Sequence, residues 1–249
     1  NENGFIVFAS DQRLHGKTAG DHLSSTRFKN VFPRMVKDQM LISDMLIEKF
    51  SLPLIIFGHS CGSFITQMYI QNYHKHSGTI LSGSAYMKRA DTLAGEWLSK
   101  IVATFNGGEK DSKVLEDLVL NSFNRKFNKG ESWISQNKDN VERYNADPLC
   151  GKPLCSNFYY SMFKNTRKLY TPEGLNNIDK DKLIFIASGK DDPVGKMGES
   201  TKKLYETYLS YNINAKLKLY DNLRHEIINE GNQQVLDDIL SALNEIIAT

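Results

Sequence analysis

Only three cysteines occur in 249 residues, Cys61, Cys150 and Cys155, and they lack the spacing of a metal site. Cys150 and Cys155 are near enough in sequence to pair, but an odd total reads more simply as reduced thiols in an intracellular protein. An excess of one charge is also missing. Lys and Arg number 31 against 29 Asp and Glu, a formal charge of +2. The basic residues are scattered, as at Arg167-Lys168 and Lys202-Lys203, so no basic tract points to a nucleic-acid partner. No apolar stretch approaches the roughly 20 residues that a membrane-spanning helix needs. The expectation is a cytoplasmic protein that meets a membrane surface at most transiently.

What is present is a rhythm of short apolar runs, each followed by a helical pattern. Phe5 to Ala9, Pro53 to Phe57, Thr79 to Leu81, Leu183 to Ala187 and Ala215 to Tyr220 read as strands. A helix is expected from about Val31 to Phe50, with Phe32, Met35, Ile42, Met45 and Leu46 on one side. Another follows Ser60, through Ile65, Met68 and Tyr69, and a last one carries Val235, Ile239, Leu243 and Ile246. Alternation of this kind implies an α/β fold, a mainly parallel sheet covered by helices on both faces. The rhythm breaks between Tyr86 and Thr171, where helical patterns such as Leu93, Trp97, Ile101 and Phe105 occur without a convincing strand. Both tryptophans, Trp97 and Trp133, fall there. The division expected is a core from 1 to 85, a helical cap or lid from 86 to 171, and the rest of the core from 172 to 249.

The chemistry concentrates in Gly58-His59-Ser60-Cys61-Gly62, a G-x-S-x-G placed where a buried strand meets a helix. A serine on such a turn is held in a strained backbone conformation that presents its hydroxyl, and the flanking glycines are expected to avoid collisions with strand and helix. The helix N-terminus adds free N–H groups and positive dipole for an oxyanion. Such a serine needs a base, and the base an orienting acid, in the chain order Ser, acid, His. Three histidines follow Ser60. His74 and His76 read as solvent-exposed residues at a helix end, whereas His225 follows a strand, at the sheet edge where ligand sites lie. The acid should come from Ser188-Gly189-Lys190-Asp191-Asp192-Pro193-Val194, and the residues alone leave Asp191 and Asp192 equally open.

Gly58 to Ser63, Ser188 to Val194 and Leu219 to Glu230, with Arg224-His225-Glu226 and Asn229-Glu230, together resemble the monoacylglycerol lipase and lysophospholipase branch of the α/β-hydrolases. That branch also contains relatives classed as serine aminopeptidases. Asp11-Gln12-Arg13-Leu14-His15-Gly16-Lys17-Thr18 is similar to the family's D-x-R-G-H-G-x-S, with Leu14 in place of a glycine and Thr18 of a serine. The resemblance implies an α/β-hydrolase fold and a triad of Ser60, Asp192 and His225, the acid standing directly before Pro193. It makes the Cys61 N–H one oxyanion donor and requires no metal or organic cofactor. Asp11 to Thr18 would be a structural turn, with His15 anchoring a loop. The family's second oxyanion donor and further sheet strands would lie upstream of Asn1, so an upstream segment of the same protein is expected. The activity implied is hydrolysis of a carboxylic ester, a lysophospholipid or monoacylglycerol. The alternatives are a peptidase for short N-terminal peptides, with Glu96, Glu131 or Glu142 meeting the substrate amine, and a non-catalytic binding module.

Overall fold

The computed structural model describes residues 3–248. Its centre is a four-stranded parallel sheet of β1 (Ile55–His59), β2 (Gly78–Ser82), β3 (Ile184–Gly189) and β4 (Ala215–Tyr220), ordered β1-β2-β3-β4. The helices are α1 (Gly16–Ala19), α2 (Val31–Phe50), α3 (Cys61–Ile70), α4 (Arg89–Asn106), α5 (Lys113–Val119), α6 (Lys138–Ala146), α7 (Ser156–Thr166), α8 (Pro172–Asn176), α9 (Glu199–Ser210) and α10 (Gln233–Ala248). β2 and β3 are buried along their whole length, as strands covered on both faces must be. Alternate side chains divide between two cores. Leu81, Ile184 and Ile186 pack with residues of α2, α3, α7 and α9, while Ile80, Phe185 and Ala187 pack with Val235, Ile239 and Ala242 of α10. Gly78 lacks a side chain where Ile246 of α10 presses on the sheet.

Four of the five expected strands form. Phe5 to Ala9 does not: it pairs with nothing among the described residues, and Ile6, Val7 and Phe8 are exposed. Apolar, β-branched composition gives a segment the capacity for a strand, but a ladder needs a partner.

The expected α2 appears with its predicted limits, and Phe32 and Met35 lie fully inside. In front of it, Leu14 takes φ 72° at the position where the resemblance has glycine. A left-handed leucine costs about 1–2 kcal/mol, and here it is held by burial in the main core. Asp11 accepts the Lys17 N–H at 2.8 Å and Arg13 pairs with Asp38 of α2, which fixes the turn. His15 is exposed, and its Nδ1 lies 2.9 Å from the Arg13 carbonyl.

Residues 86 to 171 contribute no strand to the sheet. The helix through Leu93, Trp97, Ile101 and Phe105 forms as α4, but this stripe faces outward: Trp97 is 70% and Phe105 83% exposed. The inner face is built instead around Thr92, Gly95 and Ser99, with Leu98 and Val102 half-buried against the main core. Gly95 leaves room for the Phe163 ring of α7, and the two hydroxyls return to carbonyls of their own helix. Small residues permit the close approach of α4 to α7, and α7 in turn packs on α2, where Ser161 accepts the Phe32 N–H at 3.0 Å. No helix among the described residues is long and apolar enough to cross a membrane.

Two expectations follow from the packing. The Leu223–Arg224 backbone crosses directly over Gly189 at the end of β3, in the space a Cβ would fill. Gly189→Ala should therefore destabilise the fold by about 3 kcal/mol, the scale of overpacking a rigid site; an unchanged urea midpoint would contradict this. His76, expected at the surface, is instead buried beside Tyr69, and its imidazole is pushed down to about 4, by burial first and then by Lys182 and His74. Unfolded, it titrates near about 6.5. Between those values the unfolded chain binds more protons, so stability falls as pH drops from about 6.5 to about 4. Urea unfolding across this window should show that slope. His76→Leu should reduce it without abolishing it, because His59 is also held down, to about 3; an unaltered slope in the variant would rule out His76 as a source.

Candidate active site

The loops that follow β1, β3 and β4 converge at the carboxyl edge of the sheet. Ser60 stands between the end of β1 and the start of α3 with φ 53° and ψ −123°, a conformation that is strained for any residue but glycine. Its N–H donates to the Ser82 carbonyl at the end of β2, and its carbonyl accepts from the Ser63 N–H and hydroxyl. The turn is over-determined by these bonds. A side chain at Gly58 would collide with Thr66 and with the Gly62 carbonyl 2.8 Å away, so strand and helix need that glycine. Gly62 differs from expectation: a Cβ there would meet nothing within 4 Å. Cys61, the first residue of α3, has no carbonyl within the helix for its N–H. Its thiol is pushed up to about 12 by burial, which keeps it protonated.

A buried polar network supports the elbow from below. The Ser63 hydroxyl, which donates to the Ser60 carbonyl, accepts from the Ser84 hydroxyl at 2.8 Å, and Gln67 donates to Ser84 Oγ at 3.0 Å. Tyr170 donates to Gln67 at 2.9 Å, and Thr201 donates to the Ser84 carbonyl at 2.8 Å. Satisfied networks of this kind fix a single arrangement of the elements they join.

Asp192 and His225 meet at the same edge. Asp192 is fully buried, and its Oδ2 accepts from His225 Nδ1 at 2.9 Å and from the Ser188 hydroxyl at 3.1 Å. Oδ1 accepts the Val194 N–H at 2.9 Å. Burial pushes this carboxyl up, but His225 and the three hydrogen bonds outweigh it and hold the group below the usual carboxylate range. Asp191 is not brought to the imidazole; its backbone N–H donates to the Leu223 carbonyl. With Nδ1–H donating to Asp192, the free electron pair of His225 lies on Nε2. That atom is buried and has no hydrogen-bond partner among the described residues.

Three neighbours that the sequence does not place at the site enclose the imidazole. The His59 ring lies with its centroid 4.7 Å away and donates or accepts at Ser82 Oγ through Nδ1 at 3.2 Å. Burial first, and His225 second, keep His59 uncharged. The Trp133 ring lies 4.9 Å away. Gly83, at φ 56°, passes so close that a Cβ would sit 2.8 Å from His225 Cε1 and 3.1 Å from His59 Cε1. Of these, His59 has a sequence signal in its place inside the G-x-S-x-G motif, and Trp133 only in its place within the strandless 86–171 stretch. All three cysteines are free thiols.

The family model described as serine aminopeptidase, S33, matches residues 1–232. A monoacylglycerol lipase of Mycolicibacterium smegmatis is 26% identical over 248 residues, covering 96% of this chain and 78% of that protein. A thermostable carboxyl esterase from Bacillus coagulans, solved with glycerol, superposes with a TM-score of 0.84 at 24% identity, over 95% of this chain and 79% of that one. A lipase solved in an open form gives 0.88 at 22% identity, over 100% and 83%. At such identities the structures speak to the fold, while the family match spans nearly the whole chain. The chain has the α/β-hydrolase fold and belongs to the serine aminopeptidase, S33, family of serine hydrolases.

Proposed function

We propose that this serine hydrolase cleaves carboxylic esters through an acyl-enzyme on Ser60, with His225 as base and Asp192 as the group that orients it. The observation that carries the reading is the buried Asp192–His225 pair at the sheet edge that also holds the strained Ser60. His225 Nε2 takes the proton as Ser60 Oγ attacks the carbonyl carbon. The Cys61 N–H, at the positive end of α3, meets the oxyanion of the tetrahedral intermediate. Collapse expels the alcohol, which leaves with the proton from Nε2. A water deprotonated by the same nitrogen then attacks the acyl carbonyl and releases the acid. The resting geometry lacks the Ser60–His225 hydrogen bond, and catalytic contacts of this type commonly tighten only when substrate is bound.

The substrate class favoured is a single-chain lipid ester, a monoacylglycerol or lysophospholipid. The relatives, a monoacylglycerol lipase and a carboxyl esterase, agree with an ester, and the outward stripe of α4 offers an apolar face to a lipid surface. The peptidase reading asks Glu96, Glu131 or Glu142 to meet an amine. Two of the three are already engaged, Glu96 with Arg167 and Glu131 with Arg224 at 2.9 Å.

Steady-state hydrolysis of p-nitrophenyl esters by the full chain checks the roles. Ser60→Ala should lower kcat by about 10⁴–10⁶, and Asp192→Asn by about 10⁴, while Cys61→Ala and Asp191→Asn should stay within roughly tenfold of the parent. An Asp191→Asn loss as deep as that of Asp192→Asn would refute the assignment. For the substrate class, emulsified monoacylglycerol should outpace aminoacyl amides, and Trp97→Glu should slow only the emulsified substrate.

A further inference from the structure

The imidazole of His225 does not stand alone at the end of its loop. The residue before it and the residue after it are each bonded to the segment that carries Trp133. Arg224 Nη1 donates to the Ser132 carbonyl at 2.7 Å, and the Glu226 N–H donates to the Ile134 carbonyl at 2.8 Å. Trp133 is thereby set against His225, ring to ring at 4.9 Å. The Glu230 carboxylate closes the same junction from the other side. It accepts from the Ser135 hydroxyl at 2.9 Å, from the Gln136 N–H at 2.9 Å, from the Asn137 N–H at 3.1 Å and from the Arg224 N–H at 3.1 Å. The indole is itself held, with the Phe123 ring at 5.1 Å and its backbone N–H donating to Asn124 Oδ1. Trp133 is 9% exposed and His225 3%.

We infer that Trp133 is a positioning residue for His225: the segment between α5 and α6 delivers an indole that fixes the plane of the base. The inference rests on the reading of His225 as the base. Asp192 fixes only one atom of the ring, Nδ1, about which the imidazole can still rock. Contacts with the His59 and Trp133 rings restrict the rocking, and the Gly83 backbone blocks the Cε1 edge. Of the two ring contacts, Trp133 is the one that depends on the 86–171 region being seated. A shift of that region would loosen the base, and with it the reaction, without touching the triad itself.

The role separates from simple structural support through a kcat-against-KM comparison with a small soluble ester, p-nitrophenyl acetate, which makes no demand on an acyl pocket. Trp133→Leu in the full chain should lower kcat by roughly threefold to tenfold, the range equivalent to losing one aromatic pair, with KM within about twofold. Trp133→Phe, which keeps a ring, should recover most of the loss. His225→Ala measured alongside, alone and with Trp133→Leu, completes the cycle: the Trp133 substitution should cost nothing further once the base is gone. A Trp133→Leu enzyme with parental kcat, or a loss that persists undiminished in the His225→Ala background, would overturn the inference. Full activity of His225→Ala alone would overturn the reading of the base as well, so the two failures are told apart. A Trp133→Leu loss that Trp133→Phe does not recover would also count against it, since bulk rather than an aromatic face would be at issue.

Discussion

Two stretches of backbone come together over Gly189 with no side chain between them, and the geometry of the candidate active site depends on that passage. β3 ends there, and the Leu223–Arg224 segment crosses it so closely that even a methyl group is excluded. Because the crossing is fixed, the next residue on one chain, His225, hangs over the loop that carries Asp192. The Asp191 N–H to Leu223 carbonyl bond and the Lys190 N–H to Tyr220 carbonyl bond lock the register of the two loops. Gly83 repeats the device at the end of β2, where its missing side chain admits the His225 and His59 rings together. Parallel strands deliver their carboxyl ends to one edge. Glycine at two of those ends lets the delivered loops touch.

The proposed order of nucleophile, acid and base is legible in the sequence because each of its members sits at a strand-to-loop transition that the pattern of apolar runs marks. Ser60, Asp192 and His225 all lie within five residues of the ends of β1, β3 and β4. The choice of Asp192 over Asp191 came from the resemblance. Its physical basis appears only in three dimensions, where Asp192 turns inward to three donors and Asp191 contributes a backbone bond to the loop crossing.

What the sequence hid, it hid for identifiable reasons. Helical periodicity locates an axis, but it does not say which side faces in. On α4 the stripe through Leu93, Trp97, Ile101 and Phe105 points to solvent, and the packed face centres on Thr92, Gly95 and Ser99, flanked by Leu98 and Val102. The place of His76 after a helix points to the surface, but the chain turns straight into β2 and carries the ring against Tyr69. Trp133 lies between α5 and α6, 92 residues before His225, and its contact depends on hydrogen bonds at 132 and 134 that no local pattern reveals. Leu14 shows the converse, since a left-handed turn persists where glycine would relieve it, held by burial of the leucine in the core.

The central claim is that the strained residue at the β1–α3 junction is the nucleophile, rather than its thiol neighbour. Peptide mass mapping after reaction with a fluorophosphonate measures this directly, because the covalent adduct marks the attacking atom. The account places the label on Ser60, with no label once the protein is denatured and the Asp192–His225 pair dispersed. A label on Cys61, or equal labelling of folded and denatured protein, would contradict it.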